Sequence, residues 1–208
     1  MPFVKRDPTA APAGGLASAD DLALHSAALG SPDAEARWRA ARALGGRADA
    51  VPALAAALRA ERIPRIREAL MTALMRVGDE ASVAALLPDL RAQDAGQRAA
   101  AIETLQALPE AIAPFMAALL ADGDSDVRIL ATELARNMPA ADATRVLCGL
   151  LEREPHPNVC AAAIEVLAEV GTHEAIAPLQ SCAKRFAGTA FLPFAASAAI
   201  ARISNAKG

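Results

Sequence analysis

Tyrosine is absent from this 208-residue chain, tryptophan occurs once, as Trp38, and aromatic residues make up 3% against 54% hydrophobic residues overall. The core therefore has to be filled by Ala, Leu, Val and Ile. Such small side chains permit close approach of packed helices. Few aromatic or β-branched residues are present to favour strands, whereas Ala and Leu head the helix-propensity order.

Cysteine is scarce as well. Cys148, Cys160 and Cys182 are odd in number and match no CxxC spacing, which excludes a disulfide framework and a thiolate metal motif and points to a reducing compartment. The three histidines are His25, His156 and His173. His156 and Cys160 stand four apart, a spacing that on a helix joins a nucleophile to a base or makes half a metal site. Pro155 and Pro157 flank His156, however, and place it in the loop before the helix with its ring in solvent. A Cys in an Ala-rich helix reads as a small buried hydrophobe, and the spacing supplies no third metal ligand. No catalytic residue, metal or cofactor is assigned.

Long apolar runs are missing too. Nowhere do roughly 18 apolar residues follow one another without a charge, and the opening MPFVKRDPTAAPAGG holds no apolar run of signal-peptide length. The expectation is a cytosolic protein with no membrane association. A cationic excess is also lacking: the formal net charge is −3, which argues against a general affinity for phosphate backbones. Charge is nonetheless uneven. Through Arg76 there are 11 Lys/Arg against 8 Asp/Glu, and beyond it 10 against 16, so the chain is electrically polar along its length.

What is present is a repeat. Copies of one pattern align on Arg37, Arg67, Arg98, Arg128 and Cys160, with steps of 30, 31, 30 and 32 residues, the period of a stacked array. Residues 1–18 are rich in Pro, Ala and Gly without periodicity and read as a flexible tail, with Phe3, Val4, Lys5 and Arg6 as a short docking peptide or an inert terminus. Residues 19–208 read as one repeat domain. Breaks holding Gly, Pro or Asp divide it into a first helix from near Ser18 or Asp20, carrying Leu22, Leu24 and Leu29, and helices over about 33–46, 49–60, 64–77, 80–92, 95–107, 109–121, 125–138, 140–153, 157–170, 174–187 and 190–204. That makes six hairpins. In each second helix apolar residues form one broad stripe, for example Ala101, Ile102, Leu105 and Leu108, or Val159, Ala163, Ile164, Leu167 and Val170. A lone hairpin leaves such stripes uncovered, so each leans on the next.

The stretches REALMTALMRVGDE from Arg67 and VCAAAIEVLAEVGTHE from Val159 resemble HEAT repeats, in particular the short HEAT-like type of phycobilisome lyases, and the resemblance covers roughly residues 19–204. It implies an all-α, right-handed α-solenoid of about six antiparallel helix hairpins, with the second helices lining the concave side. It fits adaptors, chaperones, scaffolds and lyases alike. The chain departs from the pattern at Gly45 and Gly46, at Asn137 and Met138, and at Cys160, where an Arg is expected.

Once the buried stripe is set aside, the fifth residue after each aligned position is Arg42, Thr72, Glu103, Glu133 and Glu165. Glu103, Glu133 and Glu165, extended by Glu169, form an acidic row, and Arg39, Arg42 and Arg76 form a basic patch at the near end. The row is expected to draw a basic segment or helix of another protein, or else to be a solvated face. The aligned arginines are expected to brace neighbouring repeats near acidic residues such as Asp94 beside Arg98 and Asp124 and Asp126 beside Arg128. Phe186, Phe191, Leu192 and Phe194 are expected to cap the open end of the core, or to mark an interface if exposed.

The first expectation is a non-enzymatic adaptor holding a protein on its concave face, with no stated oligomeric state. Likeness to the lyase repeats implies a second, a tetrapyrrole or bilin lyase-like protein or chaperone. A weaker third is nucleic-acid binding through Arg59, Arg62, Arg65 and Arg67, against which stands the lack of aromatic platforms for bases.

Overall fold

The structure is a computed structural model that describes residues 19–189 and 191–205; the expected tail and its Phe3–Arg6 patch lie outside them. Among the described residues all regular structure is helical. In chain order the helices are α1 (Ala19–Ala28), α2 (Ala34–Ala43), α3 (Val51–Ala60), α4 (Pro64–Val77), α5 (Glu80–Leu86), α6 (Ala95–Gln106), α7 (Pro109–Ile112), α8 (Met116–Leu119), α9 (Ser125–Ala135), α10 (Ala140–Arg153), α11 (Pro157–Val170), α12 (Ile176–Arg185) and α13 (Phe191–Asn205). Short 3-10 turns adjoin α3, α5, α8 and α12, and α7 and α8 form one interrupted segment.

The local chemistry explains the starts and breaks. Asp33, Asp94 and Asp124 cap α2, α6 and α9 by accepting from backbone N–H groups of the first turn. The second helices of two other hairpins instead open on Pro64 and Pro157, whose missing N–H costs nothing at a first turn. Prolines further inside have the opposite effect. The single helices expected over 80–92 and 109–121 are broken into α-helical and 3-10 pieces at Leu87–Arg91, which holds Pro88, and Ala113–Phe115, which holds Pro114; a proline there removes a hydrogen bond and crowds the preceding turn. Gly78 closes α4 at φ 70°, a left-handed cap that a side chain would strain.

Two layers of helices result. In one, α2 packs on α4, α4 on α6, α6 on α9, α9 on α11 and α11 on α13; in the other, α3 packs on α5 and α10 on α12; within hairpins α1 meets α2, α3 meets α4, α10 meets α11 and α12 meets α13. This is an α-solenoid of antiparallel hairpins. A single core runs through it from Leu29 to Ile203, with Leu44, Leu74, Leu105, Leu134 and Leu167 fully buried at successive second helices. Each such leucine contributes roughly 1.5–3 kcal/mol through burial, and because the second helices also pack on those of adjacent repeats, stability is in large part a sum over interfaces. Leu22 is partly buried and Leu29 buried, whereas Leu24 is 65% exposed.

Candidate functional site

The aligned arginines hold the array together through one recurring contact. Arg37 Nη1 donates to the Ser31 carbonyl at 2.9 Å, Arg67 Nη1 to Glu61 at 3.2 Å, Arg98 Nη1 to Ala92 at 2.6 Å and Arg128 Nη1 to Asp122 at 2.8 Å. In each copy the acceptor lies six residues before the arginine. Three of them also reach a carboxylate of the following repeat: Arg37 to Glu61 at 2.7 Å, Arg67 to Asp89 at 2.6 Å and Arg128 to Glu154 at 2.8 Å. The bracing role is therefore correct, and Asp124 does act on Arg128 through its charge, but the ion-pair partners are carboxylates of the following repeat. Asp94 and Asp124 are spent on helix caps, because a carboxylate in the turn satisfies the nearest free N–H groups first.

Glu61 illustrates the electrostatics. Its carboxylate accepts from Arg37 and from the N–H groups of Arg62 and Ile63. The Arg37 hydrogen bond, opposed by burial and aided by these amides, holds it at about 2. Burial pushes the Glu154 carboxyl up, and the Arg128 hydrogen bond with the His156 amide more than offsets this, leaving it below its usual value.

The structure does not unite His156 with Cys160. His156 is exposed at the cap of α11, while Cys160 is buried with its thiol 3.5 Å from the Glu154 carbonyl. Among the described residues no group of three or more His, Cys, Asp and Glu is placed to hold a metal, and no described helix is long and apolar enough to cross a membrane.

The acidic row is on the second helices α6, α9 and α11, but its members differ in charge state of their surroundings. Arg136 of α9 pairs with Glu133 at 3.0 Å and with Glu169 of the next hairpin, and its hydrogen bond holds the Glu169 carboxyl below its usual range. Glu103 and Glu165 are exposed and form no ion pair among the described residues. Glu103 lies in an open groove of about 830 Å³ between α4 and α6, together with Arg62, Arg65, Arg67, Glu68, Met71 and Asp94. Glu165 lies in a second groove, of about 520 Å³, between α11 and α13, with Ala161, Phe191, Ala195 and Arg202.

At the other end, Arg42 and Arg76 line a cavity of about 390 Å³ together with Trp38, Gly45, Arg65, Glu68 and Thr72. Arg42 and Arg65 both lie over the Trp38 ring, at 4.7 and 4.2 Å from its centre. Their charges are thus within about 9 Å of each other, a repulsion of about 2 kcal/mol at an effective dielectric of 20, partly offset by cation–π attraction of about 0.5–1 kcal/mol each. Arg39 does not line this cavity and pairs with Glu35 at 3.2 Å, as Arg65 does at 3.5 Å. Arg65 and Trp38 were not among the expected concave-face residues, since they sit 27 residues apart and on different offsets of the repeat.

The expected aromatic cap forms only in part. Leu192 is buried and Phe186 is half-buried beneath Arg185, but Phe191 and Phe194 are 62% and 73% exposed. They lie on the first turn of the last helix, which packs on α11 and α12 and, among the described residues, on no helix beyond them.

A family model described as HEAT repeats matches residues 22–106 and 112–186, and no curated protein matches the sequence. Among solved structures, the archaeal HEAT-like repeats protein from Thermococcus onnurineus NA1 is 16% identical with a TM-score of 0.51, covering 88% of this chain and 87% of that one. The complex of CpcE and CpcF of phycocyanin lyase from Nostoc sp. PCC7120 gives 25% identity and a TM-score of 0.45, over 90% and 76%. A designed armadillo repeat protein gives 16% and 0.43, over 88% and 99%.

Proposed function

The chain belongs to the HEAT-repeat family, and from that premise we propose that it is a non-enzymatic scaffold which holds a basic segment or helix of a partner protein along the open face of its second helices. One observation carries this reading. Glu103 and Glu165 stand exposed in grooves between successive second helices and form no ion pair among the described residues, whereas Glu133 and Glu169 are already balanced by Arg136. A carboxylate that forms no ion pair remains available to an incoming cation, and the Ala and Met side chains among the groove's charged and polar ones add apolar contact beside it.

The test is a titration of the intact chain with a labelled Lys-rich amphipathic peptide, compared with a variant carrying Glu103→Lys and Glu165→Lys. Saturable binding that disappears in the variant, with the helical CD signal unchanged, supports the reading. Undiminished binding by the variant, or none by the wild type, ends it.

A further inference from the structure

Resting on that scaffold reading, we propose that the cavity of Trp38, Arg42, Arg65 and Arg76 is a receptor for an acidic stretch of the same partner, one that brings two adjacent Asp or Glu carboxylates. The charge balance points to this. Arg42 and Arg76 form no ion pair among the described residues, and Arg65 shares its only carboxylate, Glu35, with Arg39. Three guanidiniums, those of Arg42, Arg65 and Arg76, thus line the cavity with the single carboxylate of Glu68, leaving a surplus of two positive charges for the occupant to neutralise.

The site is also shaped for such a guest. At about 390 Å³ it falls at the lower end of ligand-sized pockets, roughly 300–1,000 Å³. Ala41 and Ala73 form a closed floor, at 0% and 2% exposure. Arg76 packs directly over Gly45, where a Cβ would stand 3.4 Å from its Cδ and Nη1. Trp38 gives Arg42 and Arg65 a ring to lie against, which limits the freedom they would lose on gripping a carboxylate.

The setting argues for a peptide over a nucleic acid. Arg65, Glu68 and Thr72 line both this cavity and the larger groove that runs on to Glu103. That groove sets Glu68, Asp94 and Glu103 against Arg62, Arg65 and Arg67, of which Arg67 is paired with Asp89, and such a mixed surface suits a peptide carrying both signs better than a uniformly charged chain of phosphates.

Trp38 is the only tryptophan and there is no tyrosine, so its emission reports the cavity directly. The intact chain is titrated with a short peptide of adjacent glutamates followed by lysines, with its Gln-for-Glu counterpart, with inorganic phosphate and with oligo-dT. The expected result is a saturable emission change with the glutamate peptide, about tenfold weaker with the glutamine one and about tenfold weaker in Arg76→Gln, an exposed position. Equal affinity for the two peptides, retention in Arg76→Gln, or tighter binding of phosphate or oligo-dT overturns the proposal. If the Lys-rich peptide still binds through Glu103 and Glu165 while the glutamate peptide leaves Trp38 unmoved, the cavity assignment alone is lost; if neither binds, the scaffold reading falls with it.

Discussion

Arg185 supplies to Cys160 the guanidinium that the fifth repeat lacks. Its Nη2 lies 3.8 Å from the Cys160 Sγ and donates to the Glu154 carbonyl at 2.9 Å. That carbonyl is six residues before Cys160, the acceptor filled in the other four copies by the copy's own arginine. Arg185 also donates to the carbonyls of Leu151 and Glu152 at 2.6 and 3.0 Å, closing the end of α10. The departure at Cys160 is thus compensated from the neighbouring helix.

Arg185→Ala is therefore expected to cost about 1.5–3 kcal/mol, the worth of a charge-assisted hydrogen bond with unpaired acceptors left behind. Adding Cys160→Arg to that variant should restore much of the loss, while Cys160→Arg alone should destabilise, because two guanidiniums would compete for one carbonyl. Urea midpoints at constant m-value measure this; independent, additive effects of the two changes would contradict the substitution of one arginine for another.

The Arg37–Glu61 staple sets an acid limit. Glu61 sits at about 2 when folded, against 4.5 ordinarily, so on acidification the unfolded chain takes up the proton first. Its stabilisation is complete above about pH 4.5 and is lost as pH falls toward 2. Between those values the wild type should lose on the order of 3 kcal/mol more than Glu61→Gln, a difference in which the other carboxylates cancel. Parallel pH profiles for the two proteins would show that the staple contributes nothing.

Leu105 and Leu167, both fully buried, each couple one hairpin to the next. Replacing either by Asp buries an unpaired carboxylate and should cost more than about 4 kcal/mol, comparable with the whole stability of many domains. Unfolding should then lose its single transition. Leu24→Asp, at a 65% exposed site, should change stability by less than about 0.5 kcal/mol; equal effects at both kinds of site would contradict the assignment of the core.

Thiol reactivity checks the interior. Cys160 and Cys182 are buried, out of reach of reagent. Burial, with Glu152 and Glu174 nearby, pushes the half-buried Cys148 thiol up to about 11, and only the thiolate reacts quickly. Ellman's reagent should therefore label the native chain slowly and all three cysteines rapidly in guanidinium chloride. Rapid modification of one equivalent in native buffer would contradict this packing.

The helices were legible because their punctuation is local. Asp33, Pro64, Gly78, Asp94, Asp124 and Pro157 each act within one turn of chain, and the thirty-residue period supplied the stacking. What escaped depends on the distance between hairpins. Arg136 sits between Glu133 and Glu169 only because α9 packs on α11. Trp38 meets Arg65 only because α2 packs on α4. Pro88 and Pro114 were visible, yet whether a proline breaks or merely bends a helix depends on packing that the sequence does not display.

The central claim is that the second helices are the working surface of the array. Hydrogen–deuterium exchange of the intact chain, with and without the Lys-rich peptide, tests it most directly. Added protection confined to α4, α6, α9, α11 and α13 is the predicted result. Protection on α3, α5, α10 or α12 instead would contradict it.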